Sequence, residues 1–520
     1  MDHHIKCGNA LLGLLDADPV CRGIPQDAFT PLSGDDKALC SALKKENKAA
    51  LKRIEGLDGG QGMLFDGRLW HTWFERGHRI DAMPDGTLDE VERKRSEYKA
   101  ERGLRRGSTL GTAADLYAGA FLVPRAGKER RSPTSATLYA LLEGMPDEPE
   151  LSTRIEAARS ACTEARVFHW FVEFPEVMGG ERGGFDCVLG NPPWEVSQLS
   201  EEEFFASRDP NIAALAGNER KKAIAALEDK NPPLWNVYLG AKRNFESSNQ
   251  FCRSTERFSL TATGKLNTYA LFAETMSRIL APRGRAGLIV PTGIATDDST
   301  KAFFSTLVLG GRLASLYDFE NRNAIFPSVH RSYKFCLLTI GTAEGQGEQD
   351  EQNEQNEQKT AEFAFFLTDA GQLEERDRCF ALTGRDFAAI NPNTGTCPIF
   401  RSERDAALTR AVYARVPILI REARDGEPEA NPWGVVLRQG LFNMTSDSHL
   451  FEPSGGPGLL PLYEAKMIHQ FDHRWAGYVT EGGEPVCRDV PEERKNDPGF
   501  ATAPRYWVSE REVLERLALA

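Results

Sequence analysis

The run Asn191-Pro192-Pro193-Trp194 has the most chemically specific composition in the chain, and it follows an apolar segment that ends at Gly190. Such a segment is typical of a buried parallel strand. Two consecutive prolines fix φ and donate no hydrogen bonds, so the loop is stiff and its carbonyls point outward. The Asn191 side-chain oxygen and the Pro192 carbonyl can both accept from one exocyclic amine, and Trp194 offers a flat face for stacking. The pattern predicts a clamp for a planar amino-heterocycle.

This clamp suits methyl transfer to an amino nitrogen such as adenine N6. Two acceptors that hold the amine hydrogens favour a more tetrahedral nitrogen, whose lone pair can attack a sulfonium methyl in line without a covalent enzyme intermediate. In duplex DNA the base must first be flipped out of the stack. Stacking on Trp194 would return about 1–3 kcal/mol of the unpairing cost. The competing interpretation is a plain Asn-Pro-Pro turn.

Composition limits the class of protein. The chain has 520 residues, 41% of them hydrophobic, which predicts about three domains with substantial cores. No run approaches the roughly 18 apolar residues of a membrane helix, and no secretory pattern opens the chain. Ten cysteines are scattered without a CxxC pair, so we predict reduced thiols in a cytoplasmic protein, with no metal site and no membrane partner.

The net charge of −13 does not exclude a nucleic-acid partner, because the charge is unevenly distributed. Residues 343–362 hold seven acidic residues and one lysine, and residues 91–131 hold eleven basic and five acidic residues. The Gln- and Glu-rich run within 343–361 predicts a disordered linker, with an acidic binding tail as the alternative. The basic stretch predicts either a solvated helix or a phosphate contact.

The hydrophobic periodicity predicts an α/β fold. Helical patterns fill residues 30–165, and strands are predicted at 185–189, 286–291, 313–319 and 335–340, with helices at 268–280 and 301–309. This alternation favours a largely parallel sheet, with 335–340 paired to 363–367. A short strand is predicted near the start of the chain. Frequent prolines after residue 369 indicate a separate mixed domain.

These segments resemble a known family. FDCVLGNPPWE resembles motif IV of amino-group DNA methyltransferases, and the chain as a whole resembles type IIG restriction–modification adenine methylases. DHHIKCGNALLG resembles the segment around motif III, and VFHWFVEFPEVM resembles the lead-in to motif IV. GKLNTYALFAETMSRILAPRGRAGLIVPTGI resembles motifs V and VI, and LYDFENRNAIFPSVHRSYKFCLLTIG resembles motifs VII and VIII. LPLYEAKMIHQFDHRWAGY and PRYWVSEREV resemble the approach to a target-recognition domain.

The resemblance implies site-specific transfer of a methyl group from S-adenosylmethionine to adenine N6 in double-stranded DNA, within a restriction–modification or phage-defence system. It assigns catalysis to Asn191, Pro192 and Trp194, makes Pro193 a scaffold residue, and places Asn9 beside the cofactor adenine. Tyr333 would pack on the flipped base, with Arg331 or Lys334 near a phosphate. For these last three residues the alternative is an ordinary surface loop between two strands.

Two departures from the family pattern concern the cofactor site. The Gly-rich loop and the acidic residue that hold the cofactor in this family have no counterpart here, so we expect a partial chain. The expected fold is a partial Rossmann-like methyltransferase sheet with a helical insertion and the beginning of a mixed α/β target-recognition domain. The expected divisions are residues 1–20 (motif III strand), 30–165 (helical insertion), 166–342 (catalytic core), 343–361 (linker) and 362–520 (end of the core and recognition region). Expected partners are an N-terminal methylase half, or restriction or defence subunits.

The sequence also leaves several weaker interpretations open. The chain could be a catalytically incomplete DNA-binding fragment or half of a split methylase, or, less in keeping with its length, a protein glutamine methyltransferase. Asp85 with Glu92 and Lys94 matches a loose nuclease pattern, for which the alternative is one charged helix. His469 and His473 are spaced as on one helical face, which we interpret as a polar helix surface and not a metal site.

Overall fold

The computed structural model describes residues 4–55, 67–127, 130–144, 149–179, 183–341, 359–424, 426–437 and 440–518. The chain forms two compact units, Met1–Ile418 and Leu419–Ala520. Residues 343–358 of the predicted 343–361 linker lie outside the described residues.

The helices are numbered in chain order. They are α1 Asp18–Arg22, α2 Lys37–Glu55, α3 Gly67–Asp81, α4 Leu88–Gly107, α5 Thr109–Leu122, α6 Ser135–Leu142, α7 Pro149–Glu164, α8 Trp170–Glu173, α9 Pro175–Met178, α10 Glu201–Ala206, α11 Pro210–Ala213, α12 Gly217–Ala225, α13 Leu227–Lys230, α14 Pro232–Ser254, α15 Thr268–Arg278, α16 Gly293–Thr296, α17 Lys301–Leu309, α18 Gly384–Ile390, α19 Glu403–Tyr413, α20 Glu492–Lys495 and α21 Glu510–Ala518. Short 3₁₀ turns lie at Gln26–Phe29, Glu256–Phe258, Asp298–Thr300, Asn321–Asn323, Ala370–Glu374, Ser448–Leu450 and Ala465–Met467.

The strands are numbered in the same way. They are β1 Phe185–Gly190, β2 Leu280–Val290, β3 Leu313–Glu320, β4 Lys334–Ile340, β5 Thr360–Leu367, β6 Phe380–Thr383, β7 Phe451–Glu452, β8 Leu459–Leu462, β9 Ala476–Glu481, β10 Glu484–Asp489 and β11 Tyr506–Ser509. The first six form one sheet in the first unit. The second unit holds a pair of strands, β10-β9, and a three-stranded sheet, β7-β11-β8.

The α/β class is confirmed, but the prediction of a largely parallel sheet is wrong. The strand order is β1-β2-β4-β3-β5-β6, with parallel pairs β1–β2 and β3–β5 and antiparallel pairs elsewhere. The predicted pairing of 335–340 with 363–367 is also wrong, because β4 lies between β2 and β3. An apolar run shows that a strand is buried, but it does not show which strands flank it.

The helices predicted between residues 30 and 165 are present as α2 to α7. Helix α5 is buried along most of its length, which suits its almost wholly apolar sequence. A Cβ on Gly119 would lie 2.6 Å from the Ala158 side chain, so only glycine allows α5 and α7 to approach so closely. Helix α4 begins with a capping box between Thr87 and Glu90. Glu92 and Lys94 lie on this helix, whereas Asp85 lies in the loop before it and pairs with Lys94 at 3.2 Å.

The strand predicted within residues 1–20 is not formed by the described residues of that segment. Asn9 makes a single parallel bridge with Val167, and its side-chain oxygen accepts from the Leu11 amide at 3.2 Å. This Asx-type turn reverses the chain. Gly13, with φ +118°, completes the turn where a Cβ would meet the Phe168 backbone. The small residues therefore favour a turn over an extended strand.

Two of the hydrophobic cores cover opposite faces of the large sheet. One face packs Leu288, Leu316 and Leu338 under α15 to α18, and the other is centred on Phe319 and Phe335. A separate core joins the helical block to the N-terminal segment, and another lies among α10 to α14. Among the described helices, none is long and apolar enough to cross a membrane. Because hydrophobic cores cover both faces of the large sheet, the sheet is a firm base for the loops at the ends of its strands.

A buried carboxylate joins α8 to the helical block. The Glu173 side chain is almost fully buried, with Arg102 Nε 3.0 Å from Oε2 and Arg106 Nη2 2.6 Å from Oε1. Burial by itself would raise the pKa of Glu173, but Arg106 and Arg102 outweigh it and hold the pKa below the usual 4.5. Folding of the helical block is therefore coupled to ionisation of this group.

We predict that Glu173→Gln lowers the free energy of unfolding by about 3 kcal/mol at neutral pH, because two arginines lose their charged partner. The folded-state pKa lies below the 4.5 of an ordinary glutamate. The contribution of Glu173 is therefore complete above that value and is lost as the pH falls through the folded-state pKa. The free energy of unfolding, measured with urea, should fall more steeply for the wild type than for the variant as the pH is lowered through this range. Glu164→Gln, at an exposed position of α7, is the matched control, and an identical pH slope for wild type and Glu173→Gln would contradict the prediction.

Candidate functional site

Strand direction brings two predicted site segments to one edge of the large sheet. Strands β1 and β2 are parallel, and β4 is antiparallel to β2. The carboxyl ends of β1 and β2 therefore lie at the same edge as the amino end of β4. The loop at 191–194 and the residues at 331–334 are thus separated across the sheet by β2 alone. Such an edge is where α/β sheets place their ligands.

The loop after β1 leaves its asparagine accessible. Asn191 and Pro193 are exposed, whereas Pro192 is buried. Gly190 lies close to α15, and a Cβ there would lie 2.5 Å from the terminal methyl group of Met276, which would have to move aside. The buried proline ring fixes the corner while the neighbouring amide faces solvent. The corner is therefore open to a ligand.

Thr268, the first residue of α15, binds the loop through its hydroxyl group. Its hydroxyl lies 2.7 Å from the Pro193 carbonyl, 3.1 Å from the Glu195 carbonyl and 3.2 Å from the Glu195 amide. The Thr268 amide also donates to the Glu195 carbonyl at 2.9 Å, and Ser197 donates to Leu266 at 2.9 Å. We did not identify Thr268 from the sequence. Its position in GKLNTYALF, at the start of a helix, was the available signal.

Trp194 is half-buried and fastens the loop to the sheet. Its Nε1 donates to the Ile289 carbonyl of β2 at 3.3 Å. Its ring stacks on Phe335 of β4 with centroids 6.5 Å apart, and Phe335 stacks in turn on Phe319 at 5.4 Å. The indole thus has a structural role, and stacking of a base on Trp194 stays a prediction.

The three predicted substrate-binding residues differ in their surroundings. Tyr333 is exposed, and its backbone carbonyl accepts from Asn321 at 3.0 Å. Lys334 pairs with Glu320 at 3.0 Å, a contact that is the main cause of the lowered pKa of Glu320. Arg331 donates to the Arg322 carbonyl at 3.2 Å. Tyr333 is open to a ligand, whereas Lys334 already has an acidic partner.

A buried carboxylate joins the neighbouring strand ends and was missed by the sequence interpretation. Asp318 of β3 is almost fully buried, accepts from the Thr292 hydroxyl that follows β2, and accepts from the Phe366 amide of β5 at 3.3 Å. Burial raises its pKa above the usual value. An aspartate inside the apolar run LASLYDFE was the available signal. Asp318 therefore connects the carboxyl-terminal ends of β2, β3 and β5.

Asn9, the predicted cofactor contact, lies on the N-terminal turn against Val167. It is exposed, and Arg257 holds this turn by donating to the Gly13 carbonyl at 2.6 Å and to the Ala10 carbonyl. An exposed amide on a fixed turn is compatible with a contact to a cofactor ring. The described part of the chain contains no group of three or more His, Cys, Asp or Glu side chains placed to hold a metal ion.

Comparison with known proteins supports the resemblance over part of the chain. Residues 142–225, which include α7 to α12, β1 and the 191–194 loop, match the family model described as Eco57I restriction-modification methylase. The predicted resemblance to restriction–modification methylases is therefore confirmed for this segment. No curated protein matches the chain.

Solved structures give weak alignments. A protein of Listeria monocytogenes described as a class I S-adenosylmethionine-dependent methyltransferase is 10% identical, with 65% of this chain and 96% of that chain covered and a TM-score of 0.19. The M protein of the type I restriction enzyme EcoKI is 9% identical, with coverages of 67% and 92% and a TM-score of 0.21. A modification subunit of a type I restriction enzyme from Vibrio vulnificus is 12% identical, with coverages of 71% and 77% and a TM-score of 0.22. TM-scores this low support no argument about the present chain.

We predict that Thr268→Val loosens the loop without unfolding the sheet. Each lost hydrogen bond is worth about 1 kcal/mol, so exchange of the Glu195 amide should quicken by about fivefold to tenfold in hydrogen–deuterium exchange. Thr268→Ser, which keeps the hydroxyl, should restore slow exchange. Thr263→Val is the control, because the Thr263 hydroxyl donates to the Ser299 carbonyl at 2.9 Å and not to the loop. Equal exchange rates in all three variants would show that Thr268 does not hold the loop.

Proposed function

We propose that this chain is a DNA methyltransferase of restriction–modification type that methylates adenine N6 in a base flipped out of the duplex. One observation carries the proposal. Asn191 is exposed at the carboxyl end of β1, on a corner with a buried proline, in the segment that matches the restriction-modification methylase family. The reaction needs an accessible acceptor on a rigid support, and this corner has both properties.

In this proposal the loop acts by holding the amine. The Asn191 side-chain oxygen and the Pro192 carbonyl each accept a hydrogen bond from the amine, which favours a tetrahedral nitrogen with an available lone pair. Once methylated, the nitrogen releases one of its two protons to solvent. Thr268 bonds to the Pro193 carbonyl and Trp194 bonds to the Ile289 carbonyl, and these contacts restrain the loop that holds the two acceptors. No residue needs to form a covalent bond to the base. Catalysis here is mainly positioning.

S-adenosylmethionine is the expected cofactor, and when bound it supplies an activated methyl group. The described residues fit one part of it: the exposed Asn9 amide, on a turn fixed by Arg257, is suited to hydrogen-bond the adenine ring. The Gly-rich loop that is expected to hold the rest of the cofactor has no counterpart in the sequence. We infer that another segment contributes that part of the pocket.

The open edge of β1 supports this inference about a partner. Within the described residues β1 is an edge strand of the large sheet. Its sequence is mainly apolar, and Leu189 is 79% exposed because no further strand of the described part of the chain covers it there. Natural edge strands are usually protected by charge, proline or a covering element. We therefore propose that a strand of an N-terminal methylase half pairs with β1, and that double-stranded DNA and restriction or defence subunits are further partners.

Tyr333 is the proposed base contact from the opposite side of the site. It is exposed at the edge where the 191–194 loop lies, one strand away across β2. Arg331 and Lys334 are proposed phosphate contacts, although Lys334 would have to exchange its bond with Glu320 for one to phosphate. A DNA-modifying enzyme acts where the chromosome is, so the proposed location is the cytoplasm.

We predict that Asn191→Ala lowers methylation by at least about a hundredfold, the usual cost of removing one positioned polar group from a reacting centre. Mass spectrometry of nucleosides from cells carrying the native locus should show N6-methyladenine for the wild type only. Asn218→Ala, at an exposed asparagine of α12, is the control and should methylate normally. Circular dichroism should show that both variants fold.

Other outcomes of that experiment would exclude specific parts of the proposal. N4-methylcytosine in place of N6-methyladenine would overturn the choice of base. A methylated glutamine in a protein, with unmodified DNA, would favour the protein glutamine methyltransferase. Wild-type DNA binding with no Asn191-dependent methylation, even in the presence of all products of the locus, would favour a non-catalytic DNA-binding fragment.

We also predict that the backbone amides of β1 become protected on assembly. In hydrogen–deuterium exchange, about half of the amides of a peptide spanning Phe185–Gly190, those that face away from β2, should exchange quickly in the purified chain and much more slowly in the complex isolated from the native locus. Alternate amides of an edge strand point away from its neighbour, so a new partner strand would satisfy them. A peptide from β4, a central strand, is the control and should be protected in both samples. Fast exchange of the β1 peptide in an active complex would exclude strand pairing.

A further inference from the structure

The turn at His469–Asp472 presents an aromatic ring to solvent. The His469 amide donates to the Asp472 carbonyl, and the Asp472 amide donates to the His469 carbonyl, both at 2.9 Å. Gln470 and Phe471 are therefore the two residues of a tight hairpin turn. The polar helix face predicted for His469 and His473 is wrong, because this turn reverses the chain between them. Phe471 is 98% exposed.

The backbone at Phe471 is unfavourable for this residue type. Its φ is +65°, in the left-handed region where a Cβ crowds the following carbonyl and where glycine or asparagine is usual. The ring also buries no surface within the second unit. Neither local conformation nor packing accounts for phenylalanine here. Strained positions that persist on a surface are often functional.

The base of the turn is firmly braced. Asp472 accepts from the Arg474 amide at 2.9 Å and pairs with Lys495 at 2.7 Å. The ring centroids of His469 and Trp475 lie 4.7 Å apart, and the Lys495 Nζ lies 4.7 Å from the centroid of the Trp475 ring. The exposed ring therefore stands on a fixed support, which reduces the entropy lost when it meets a ligand.

We propose that Phe471 is a wedge that inserts between stacked bases of duplex DNA, an inference that rests on the proposed DNA-modifying function. A single flat ring fits the slot between two base pairs, and phenylalanine is among the residues that DNA-bending proteins insert in this way. The exposed neighbours His469, Gln470 and His473 offer hydrogen-bonding groups suited to base edges and phosphates. Ile468 and Trp475 are also partly exposed, at 48% and 38%, but Phe471 alone projects almost wholly into solvent, and the test below distinguishes a protein partner from DNA.

The wedge gives the second unit a defined role in the proposed reaction. An inserted ring unstacks its base step and replaces lost base–base contacts with base–phenyl contacts. Unstacking one step makes extrusion of an adjacent base easier. Insertion of Phe471 would thus lower the cost of opening the duplex.

The test compares full-length wild type with Phe471→Ala by fluorescence anisotropy on two duplexes, one intact and one with a single abasic site, at fixed salt concentration. An abasic site removes part of the unstacking cost, so the wild type should prefer the abasic duplex. The alanine variant should bind the abasic duplex about tenfold more weakly than the wild type and lose the preference, since one base–aromatic stack is worth about that factor. Phe471→Trp should retain both properties. Trp433→Ala, at another highly exposed aromatic of the second unit, is the matched control and should bind as the wild type does.

A second variant separates function from folding. Phe471→Gly relieves the left-handed backbone, so it should raise the melting temperature while lowering DNA affinity as the alanine variant does. A lowered melting temperature would show that the ring stabilises the unit, and would overturn the proposal.

The remaining outcomes separate this inference from the proposed function. Unchanged DNA affinity and abasic preference in Phe471→Ala, with Asn191-dependent methylation present in the wild type, would overturn the wedge alone. Loss of a subunit from the complex with DNA affinity intact would show that Phe471 contacts protein, and would also overturn it. A wild type that binds neither duplex and methylates no DNA would overturn both.

Discussion

The contact between Thr268 and the loop after β1 is the constraint on which the proposed site depends. Two consecutive prolines stiffen a loop, but they do not determine where it points. The hydroxyl of Thr268 engages Pro193 and Glu195 together, and the indole of Trp194 engages β2 and β4. The loop is thus fixed from the helix and from the sheet, while the Asn191 side chain stays exposed.

The sheet beneath this loop explains how the contacts come together. The parallel pair β1–β2 directs the loop and the Pro291–Thr292 segment to one edge, and the antiparallel β4 brings Tyr333 to the same edge. Asp318 then joins the ends of three strands through Thr292 and Phe366. A buried carboxylate without good partners would be costly, so its hydrogen bonds hold these ends in one arrangement.

Each of the two units has features that are unusual for an isolated folded chain. The first has an exposed amide on a rigid corner and an edge strand whose apolar surface is uncovered in the described residues. The second has a strained, exposed phenylalanine on a braced turn. An uncovered apolar edge strand and a strained exposed phenylalanine are each unfavourable in isolation, and the proposed partners, a strand for β1 and DNA for Phe471, would account for them.

The sequence alone was sufficient for the local features. Periodicity identified α2 to α7 and the first four strands, because burial on one face repeats with the period of the element. The prolines and the asparagine of residues 191–194 predicted a stiff corner with an available acceptor, because proline geometry and amide chemistry belong to the residues themselves. The small residues around Asn9 were read as leading from a strand into a turn, and only the turn formed.

Only the tertiary structure decided how these parts meet. The place of β4 between β2 and β3, the bonds of Thr268 to the loop and the burial of Asp318 each join residues distant along the chain, and no local pattern encodes such partners. The tight turn at Phe471 replaced a predicted helix for the same reason, since Lys495 and Trp475 stabilise it from other elements. A sequence specifies which surfaces are apolar and which groups can bond, whereas packing selects among the many arrangements that satisfy them.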